Sequence, residues 1–208
     1  PNVITNVMME RLAAFDGPTG GKIVRPADGK PVESVAFVQC AGSRDENYMA
    51  FCSHICCLAS LKQTTYIREQ LPNATVTIFY IDIRALGKYE EFYTKVADDE
   101  NVTLIKGKVA KVEADPASDK ILVEAEDIYG GGKSQAKADL VVLATGMEPS
   151  TAVDKVPTDV AYDESGFVVS EKPGIYAAGC TRKPLDVATS NRDATAAALK
   201  AIQSTVRR

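Results

Sequence analysis

Several features that would point to common functions are missing from this sequence. No apolar stretch approaches the roughly eighteen residues that a membrane span needs, and the N-terminus lacks the basic, apolar and small-residue succession of a signal peptide. The chain therefore reads as unexported and cytoplasmic, reaching a membrane only through partners, if at all. No cluster of lysine and arginine is dense enough to track phosphates, and 24 basic against 28 acidic residues leave a net charge of −4, which argues against nucleic acid as a partner. There is no internal repeat and no low-complexity segment. The first residue is Pro1 rather than Met, as expected of an expressed fragment or a processed chain.

What remains is ordinary globular composition, 45% hydrophobic and 25% charged over 208 residues, enough for one good core or two small ones. Glycine and proline punctuate residues 1–33 too often for more than a short helix around Val7 to Phe15, so this stretch reads as a connecting arm. From Val35 the pattern becomes β, α, β. Val35 to Gln39 is a buried strand, Ser53 to Gln70 a helix ending before Pro72, and Ala74 to Ile83 a β-branched and aromatic strand. Glu90 to Glu100 reads as a helix and Val102 to Ile105 as a third strand. Lys108 to Ala114 and Lys120 to Ile128 alternate like a hairpin pair, with a turn at Gly130 to Gly132. Asp139 to Thr145 is a buried strand of the parallel type running into Gly146; Gly166 to Ser170 and Gly174 to Ala178 read as short strands, and Thr189 to Val206 as an Ala-rich helix. The expected fold class is α/β, a doubly wound Rossmann-like three-layer sandwich with a small β-hairpin element.

Five cysteines are present, and four of them, Cys40, Cys52, Cys56 and Cys57, fall within eighteen residues in the spacing C-x11-C-x3-C-C. An odd, clustered set is no extracellular disulfide framework; in a cytoplasmic chain it points to metal or redox chemistry. Cys40 lies at a strand exit, where α/β sheets place their sites, and Cys57 lies near a helix start, where backbone N–H groups offset negative charge. Four thiolates match the four iron corners of a [4Fe–4S] cluster. Zinc, reactive thiols and simply buried cysteines remain as other readings of the same spacing. His54, the single histidine, lies between two of the cysteines and is either a hydrogen-bond donor to the site or an ordinary surface residue. Arg44 and Arg84, at expected strand exits, are either counter-charges or solvated surface groups. The first βα turn holds Cys40-Ala-Gly-Ser-Arg-Asp where a dinucleotide site needs G-x-G-x-x-G, so Asp82 at the end of the next strand is weak evidence for a ribose-binding acid. A nicotinamide-domain shape without nicotinamide binding is expected.

The strings VAFVQCAGSRDEN, FCSHICC, VTIFYIDIRALG, DLVVLATGMEPS and GIYAAGC followed by PLDVAT together resemble the A-subunit family of heterodisulfide reductases over nearly the full chain. Within it, the wording is most similar to the branch found in quinone-interacting membrane-bound oxidoreductase complexes. The resemblance implies a thioredoxin reductase-like FAD/NAD(P)-binding fold. Residues 34–144 would form an inserted Rossmann-like domain, 1–33 an arm or part of the FAD domain, and 145–208 the C-terminal part of the FAD domain. It implies Cys40, Cys52, Cys56 and Cys57 as ligands of the [4Fe–4S] cluster, Thr145 and Gly146 beside FAD, and Gly179 and Cys180 near its ribityl chain, where Cys180 replaces the usual Asp. Asp186, Val187 and Ala188 would open the helix that directs N–H groups at the flavin ring; as an N-cap, Asp186 also suits an ordinary helix start. The family's strand-turn-helix that clasps the FAD pyrophosphate is not in this sequence, so FAD binding by this chain is expected to be weak or absent. The implied role is an electron relay among the subunits of a complex linking membrane quinone to adenylylsulfate reductase in sulfur metabolism, a role that the scarcity of histidine suits. Two alternatives stay open: a pyridine-nucleotide-dependent disulfide reductase using Cys56 and Cys57 or Cys180, and an interaction module held by zinc.

Overall fold

The computed structural model describes residues 1–129, 131–169 and 172–206, and the chain divides into two compact units. The first comprises Pro1–Gly42 and Cys56–Thr145, the second Ser43–Ile55 and the chain from Gly146 onward. Gly130 and Ser170, expected in a turn and a strand, lie outside the described residues.

The first unit is built on a five-stranded parallel sheet. Its strands are β1 (Val3–Thr5), β2 (Ser34–Ala41), β3 (Thr75–Tyr80), β4 (Val102–Lys106) and β8 (Leu140–Thr145), in the order β1-β8-β2-β3-β4. β2 and β8 are near-continuous apolar runs because both faces of the sheet are covered. On one face lie α1 (Asn6–Ala13), α2 (Cys56–Gln70) and α3 (Tyr89–Ala97), where Met9, Leu12, Leu61, Ile67 and Val96 pack on Val35, Phe37, Ile78 and Val142. The other face is covered by an antiparallel meander of β5 (Val109–Ala114), β6 (Ile121–Asp127) and β7 (Gly132–Ala138), whose Ile121, Val123 and Ala125 pack on Ala36, Val38, Phe79 and Val141. Helices, sheet and meander make the three expected layers.

Residues 1–33 fold with this sheet. Thr5 caps α1 by accepting the Met8 N–H at 3.3 Å, and β1 pairs in parallel with β8 from Val3↔Val141 to Thr5↔Leu143. The hairpin expected at residues 108–128 is extended to three strands by β7. β8 begins one residue later than expected because Asp139 is held aside as a clamp. Its buried carboxylate accepts the Glu33 N–H at 3.0 Å, the Ser34 N–H at 3.0 Å and the Ser34 hydroxyl at 2.9 Å, which fixes where β8 starts against β2.

In the second unit, a short antiparallel pair, β9 (Ala161–Tyr162) with β10 (Val168–Val169), precedes α4 (Val187–Val206). Gly174–Ala178, expected as a strand, has no ladder partner among the described residues. Ala178 is extended, at φ −143° and ψ 156°, but the chain there leads into a single 3-10 turn at Gly179–Thr181. The loop 43–55 folds with this unit: Arg44 N–H donates to the Phe51 carbonyl at 3.2 Å, and the Phe51 ring stands edge-on to Phe167 at 5.4 Å. Among the described residues, no helix is long and apolar enough to cross a membrane.

The contribution of the Asp139 clamp should depend on pH. Burial opposes its ionisation, but the Ser34 hydroxyl, the Glu33 N–H and the Lys120 ammonium together hold the carboxyl below the ordinary aspartate value. Asp139→Ala strands three buried donors and is expected to destabilise the first unit by about 2–4 kcal/mol in urea titrations at pH 7. A carboxylate with a lowered folded value stabilises above its unfolded value and loses that contribution as pH falls through the folded one. The gap between wild type and variant should therefore narrow below about pH 4; an unchanged gap at pH 3 would contradict the clamp.

Candidate functional site

The cysteines of the first unit sit at the carboxyl ends of three neighbouring strands. β2 lies between β8 and β3, and the chain leaves β2 through a register shift between Val38 and Ala41. Cys40 occupies this bulge at φ +57°, in the left-handed region that side chains rarely adopt. α2 returns over the sheet from this edge and opens with Cys56 and Cys57, both buried. Adjacent helical positions point about 100° apart, and the two thiols diverge accordingly. Cys56 Sγ donates to the Thr145 carbonyl at the end of β8 at 3.4 Å, and Cys57 Sγ to the Asp82 carbonyl beyond β3 at 3.7 Å. The carboxyl ends of the strands are where open α/β sheets take ligands.

Cys52 belongs to the second unit, where its sulfur accepts the His54 N–H at 3.4 Å. His54 adopts φ +59° and Arg44 φ +55°, so the non-glycine residues in the left-handed region, among those described, all fall between Cys40 and His54. The His54 side chain is exposed. Arg84 pairs with the Asp82 carboxylate at 3.6 Å, which gives both groups a local role.

Among the described residues, no three His, Cys, Asp or Glu side chains are gathered as a metal-holding set, and no disulfide joins the five cysteines. The donor chemistry nevertheless suits a thiophilic group. Cys56 and Cys57 lie at a helix N-terminus that favours negative charge, a backbone N–H already meets the Cys52 sulfur, and the buried amide of Gln39, next to Cys40, has neither of its polar atoms hydrogen-bonded among the described residues.

The residues implied for flavin separate into two groups. Gly179, Cys180 and Val187 share an open groove of about 460 Å³ in the second unit with Met147, Leu185 and Ala194. Cys180 is exposed there and Sγ donates to the Leu185 carbonyl at 3.4 Å. Asp186 caps α4, accepting the Thr189 N–H at 2.9 Å and its hydroxyl at 2.7 Å, and Ala188 is exposed in the first turn. Thr145 ends β8 in the first unit. Gly146 is dictated by packing: a Cβ there would stand 2.2 Å from Met49 Cε and 2.7 Å from Ser53 Oγ. Ser53 is fully buried and accepts the Met147 N–H at 2.7 Å. Asp193 is not singled out by any sequence pattern, although it lies seven residues beyond Asp186 on the same helix face. It accepts the Gly179 N–H at 2.9 Å and pairs with Arg182, so it fixes the left-handed Gly179 turn (φ +61°) against α4.

Known proteins share both the sequence and the fold. The chain is 38% identical over 214 residues to the second iron-sulfur A subunit of the CoB–CoM heterodisulfide reductase of Methanopyrus kandleri, with 96% of this chain and 33% of the relative covered. It is 38% identical over 217 residues to the A subunit of the ferredoxin/F420H2-dependent CoB–CoM heterodisulfide reductase of Methanosarcina acetivorans, covering 98% and 27%. This chain belongs to the A-subunit family of heterodisulfide reductases. It spans about a third of the length of these curated relatives. No protein-family model matches the chain. The fold of this heterodisulfide reductase A segment is that of thioredoxin reductases. The enzyme of T. acidophilum aligns at TM-score 0.56 and 18% identity over 99% of this chain and 58% of its own, and that of Lactococcus lactis at 0.54 and 17% over 85% and 54%.

The packing around Gly146 is directly testable. Gly146→Ala is expected to destabilise the second unit by about 1–3 kcal/mol through overpacking, read as a lowered unfolding midpoint. Because the nearest atom is the far end of a methionine, adding Met49→Ala should restore part of the loss; a double variant no better than the single one would refute this origin.

Proposed function

We propose that this chain is the part of a heterodisulfide reductase A-type protein that carries electrons between flavin and an iron–sulfur centre. The observation that carries the reading is the replacement of the dinucleotide fingerprint: Cys40, Cys56 and Cys57 occupy the carboxyl end of β2 and the first turn of α2, where a Rossmann unit would present glycines to a pyrophosphate. In this reading residues 34–144 correspond to the inserted domain, and residues 1–33 and 145–208 to parts of the FAD domain. Cys40, Cys52, Cys56 and Cys57 would hold the [4Fe–4S] cluster, whose chemistry when bound is one-electron exchange. The name of the Methanopyrus kandleri relative, an iron-sulfur subunit, supports this.

The chain's own residues supply position and charge balance. The N-terminal end of the α2 dipole would offset the charge of thiolates beside it, and Cys40 sits in the bulge of β2. On the flavin side, Thr145, Gly146, Gly179, Cys180, Asp186, Val187 and Ala188 are the proposed neighbours of FAD. The Asp186-capped start of α4 presents N–H groups, and the groove at Cys180 offers an apolar wall for a ring system. The partners proposed are the other subunits of the complex and, from the wording of the sequence, quinone-linked subunits and adenylylsulfate reductase, with membrane contact made by another protein of the complex.

Purification without oxygen tests the reading. The expected result is about four irons per chain and a broad absorption band near ~400 nm, with both lost in Cys52→Ser and in Cys56→Ser. A colourless chain that takes up zinc and not iron, even after anaerobic reconstitution, would replace it with the zinc-held interaction module.

A further inference from the structure

Gln39 is the last residue of β2 before Cys40, and only 6% of it is exposed. Among the described residues, neither its Nε2 nor its Oε1 has a hydrogen-bond partner. A buried unpaired polar group costs about 1–3 kcal/mol, whereas an apolar side chain of the same length would cost nothing of the kind. The cost is therefore avoidable, and its place in the fold suggests why it is kept. The two-residue alternation of β2 sends Val35 and Phe37 to the helix-covered face, where they pack with Leu61 and Ile67 of α2. Gln39 follows two residues on, and with Cys40 it lies in the register shift between Val38 and Ala41, at the strand end from which the chain leads to α2. The same face of α2 continues in polar residues, with Ser60 and Gln63 both fully buried at four and seven residues beyond Cys56. Those two, however, bond to Asn6 of α1, at 3.4 and 3.3 Å, and Gln63 Nε2 also donates to Asn6 O and Glu10. Gln39 has no such neighbour among the described residues.

We infer that Gln39 is a positioning residue for the iron–sulfur centre, its carboxamide N–H donating to an anionic sulfur of the group held at Cys40, Cys56 and Cys57. This rests on the cluster reading of the preceding subsection. The amide can present its N–H by a half-turn about its last side-chain bond, since oxygen and nitrogen are interchangeable in outline. A donor to sulfur stabilises the more negative, reduced state over the oxidised one and so raises the reduction potential. No ligand bond is made or broken.

The test compares the wild-type chain with Gln39→Met and Gln39→Glu, all purified without oxygen, by iron content, urea unfolding of the iron-free protein and EPR-monitored redox titration. Gln39→Met removes both orphan polar atoms at nearly constant volume. The expected outcome is an iron-free protein at least as stable as wild type, full iron loading, and a midpoint potential shifted to more negative values. Gln39→Glu, which places an acceptor or a negative charge against sulfur, should shift the potential further in the same direction or reduce iron loading. Wild-type chain that loads iron, together with a Gln39→Met variant of unchanged potential, overturns the inference alone. A Gln39→Met variant that is less stable and unshifted does the same, by showing a purely structural role. A wild-type chain that never takes up iron overturns the cluster reading and the inference with it.

Discussion

The structure depends on β2 being hydrogen-bonded along both edges. β8 pairs with it from Val35↔Leu140 and β3 from Ser34↔Thr75, all three in parallel. Parallel neighbours cannot be joined by tight turns, so every connection must cross a face of the sheet. Here α2 and α3 make the crossings on one face, and the β5–β7 meander covers the other. A strand held on both sides can release its chain only at its end. At the exit of β2 the β3 ladder ends at Val38↔Phe79, while the β8 ladder runs on through a bulge with a left-handed Cys40 to Ala41↔Thr145. Cys40, Cys56 and Cys57 all lie at this end of the sheet, the carboxyl end of its strands, where open α/β sheets take ligands.

Much of this was legible in the sequence wherever local pattern and burial agree. β2, β3, β4 and β8 are short runs of β-branched and apolar residues, and α2 ends one residue before the Leu71–Pro72 pair, as the restriction on pre-proline residues requires. What was not legible depends on partners remote in sequence. β1 is three residues long and exists because Val3 to Thr5 meet a β8 edge far along the chain, at Val141 to Leu143. β7, GKSQAKA, has no apolar alternation, since its outward face is solvated and only Ala138 at its end is buried; β6 supplies its reason to be a strand. The converse error is Gly174–Ala178, whose apolar letters suggest a strand but which has no ladder to join among the described residues.

The candidate sites show the same division. The cysteine spacing raises a redox or metal reading and the missing glycine fingerprint argues against a dinucleotide, both of which stand as proposals; the structure adds that Cys40 lies at the end of β2 and Cys56 and Cys57 in the first turn of α2. The sequence could not show that Cys52 would fold with the chain after Gly146, nor that Gly146 would be required by Met49 and Ser53. A glycine in a motif is easily credited to a ligand. Here a Cβ would meet protein atoms first, so close packing alone is sufficient to demand it. Asp193 was invisible for a related reason: its partner, the Gly179 N–H, is a backbone group that no residue type advertises.

Asn6 Oδ1 and Arg25 Nε are buried without a partner, but each of those side chains is bonded through another atom, whereas Gln39 is bonded through neither of its polar atoms among the described residues. Asp139 Oδ2 accepts from Glu33, Ser34 and Lys120, and Gln63 is paired across the α1–α2 interface; each fixes how one element sits on another. Such groups offset their desolvation within the fold, and their positions follow the register of the sheet. Gln39 does not fit that pattern. It sits at the one strand end where the ladder is already broken and where thiols meet a helix N-terminus, and nothing among the described residues satisfies its amide. Local and global preferences agree through most of a natural sequence and part at functional positions. On that criterion the exit of β2, with an unpaired amide followed by a left-handed cysteine, is the position that the proposed site would account for.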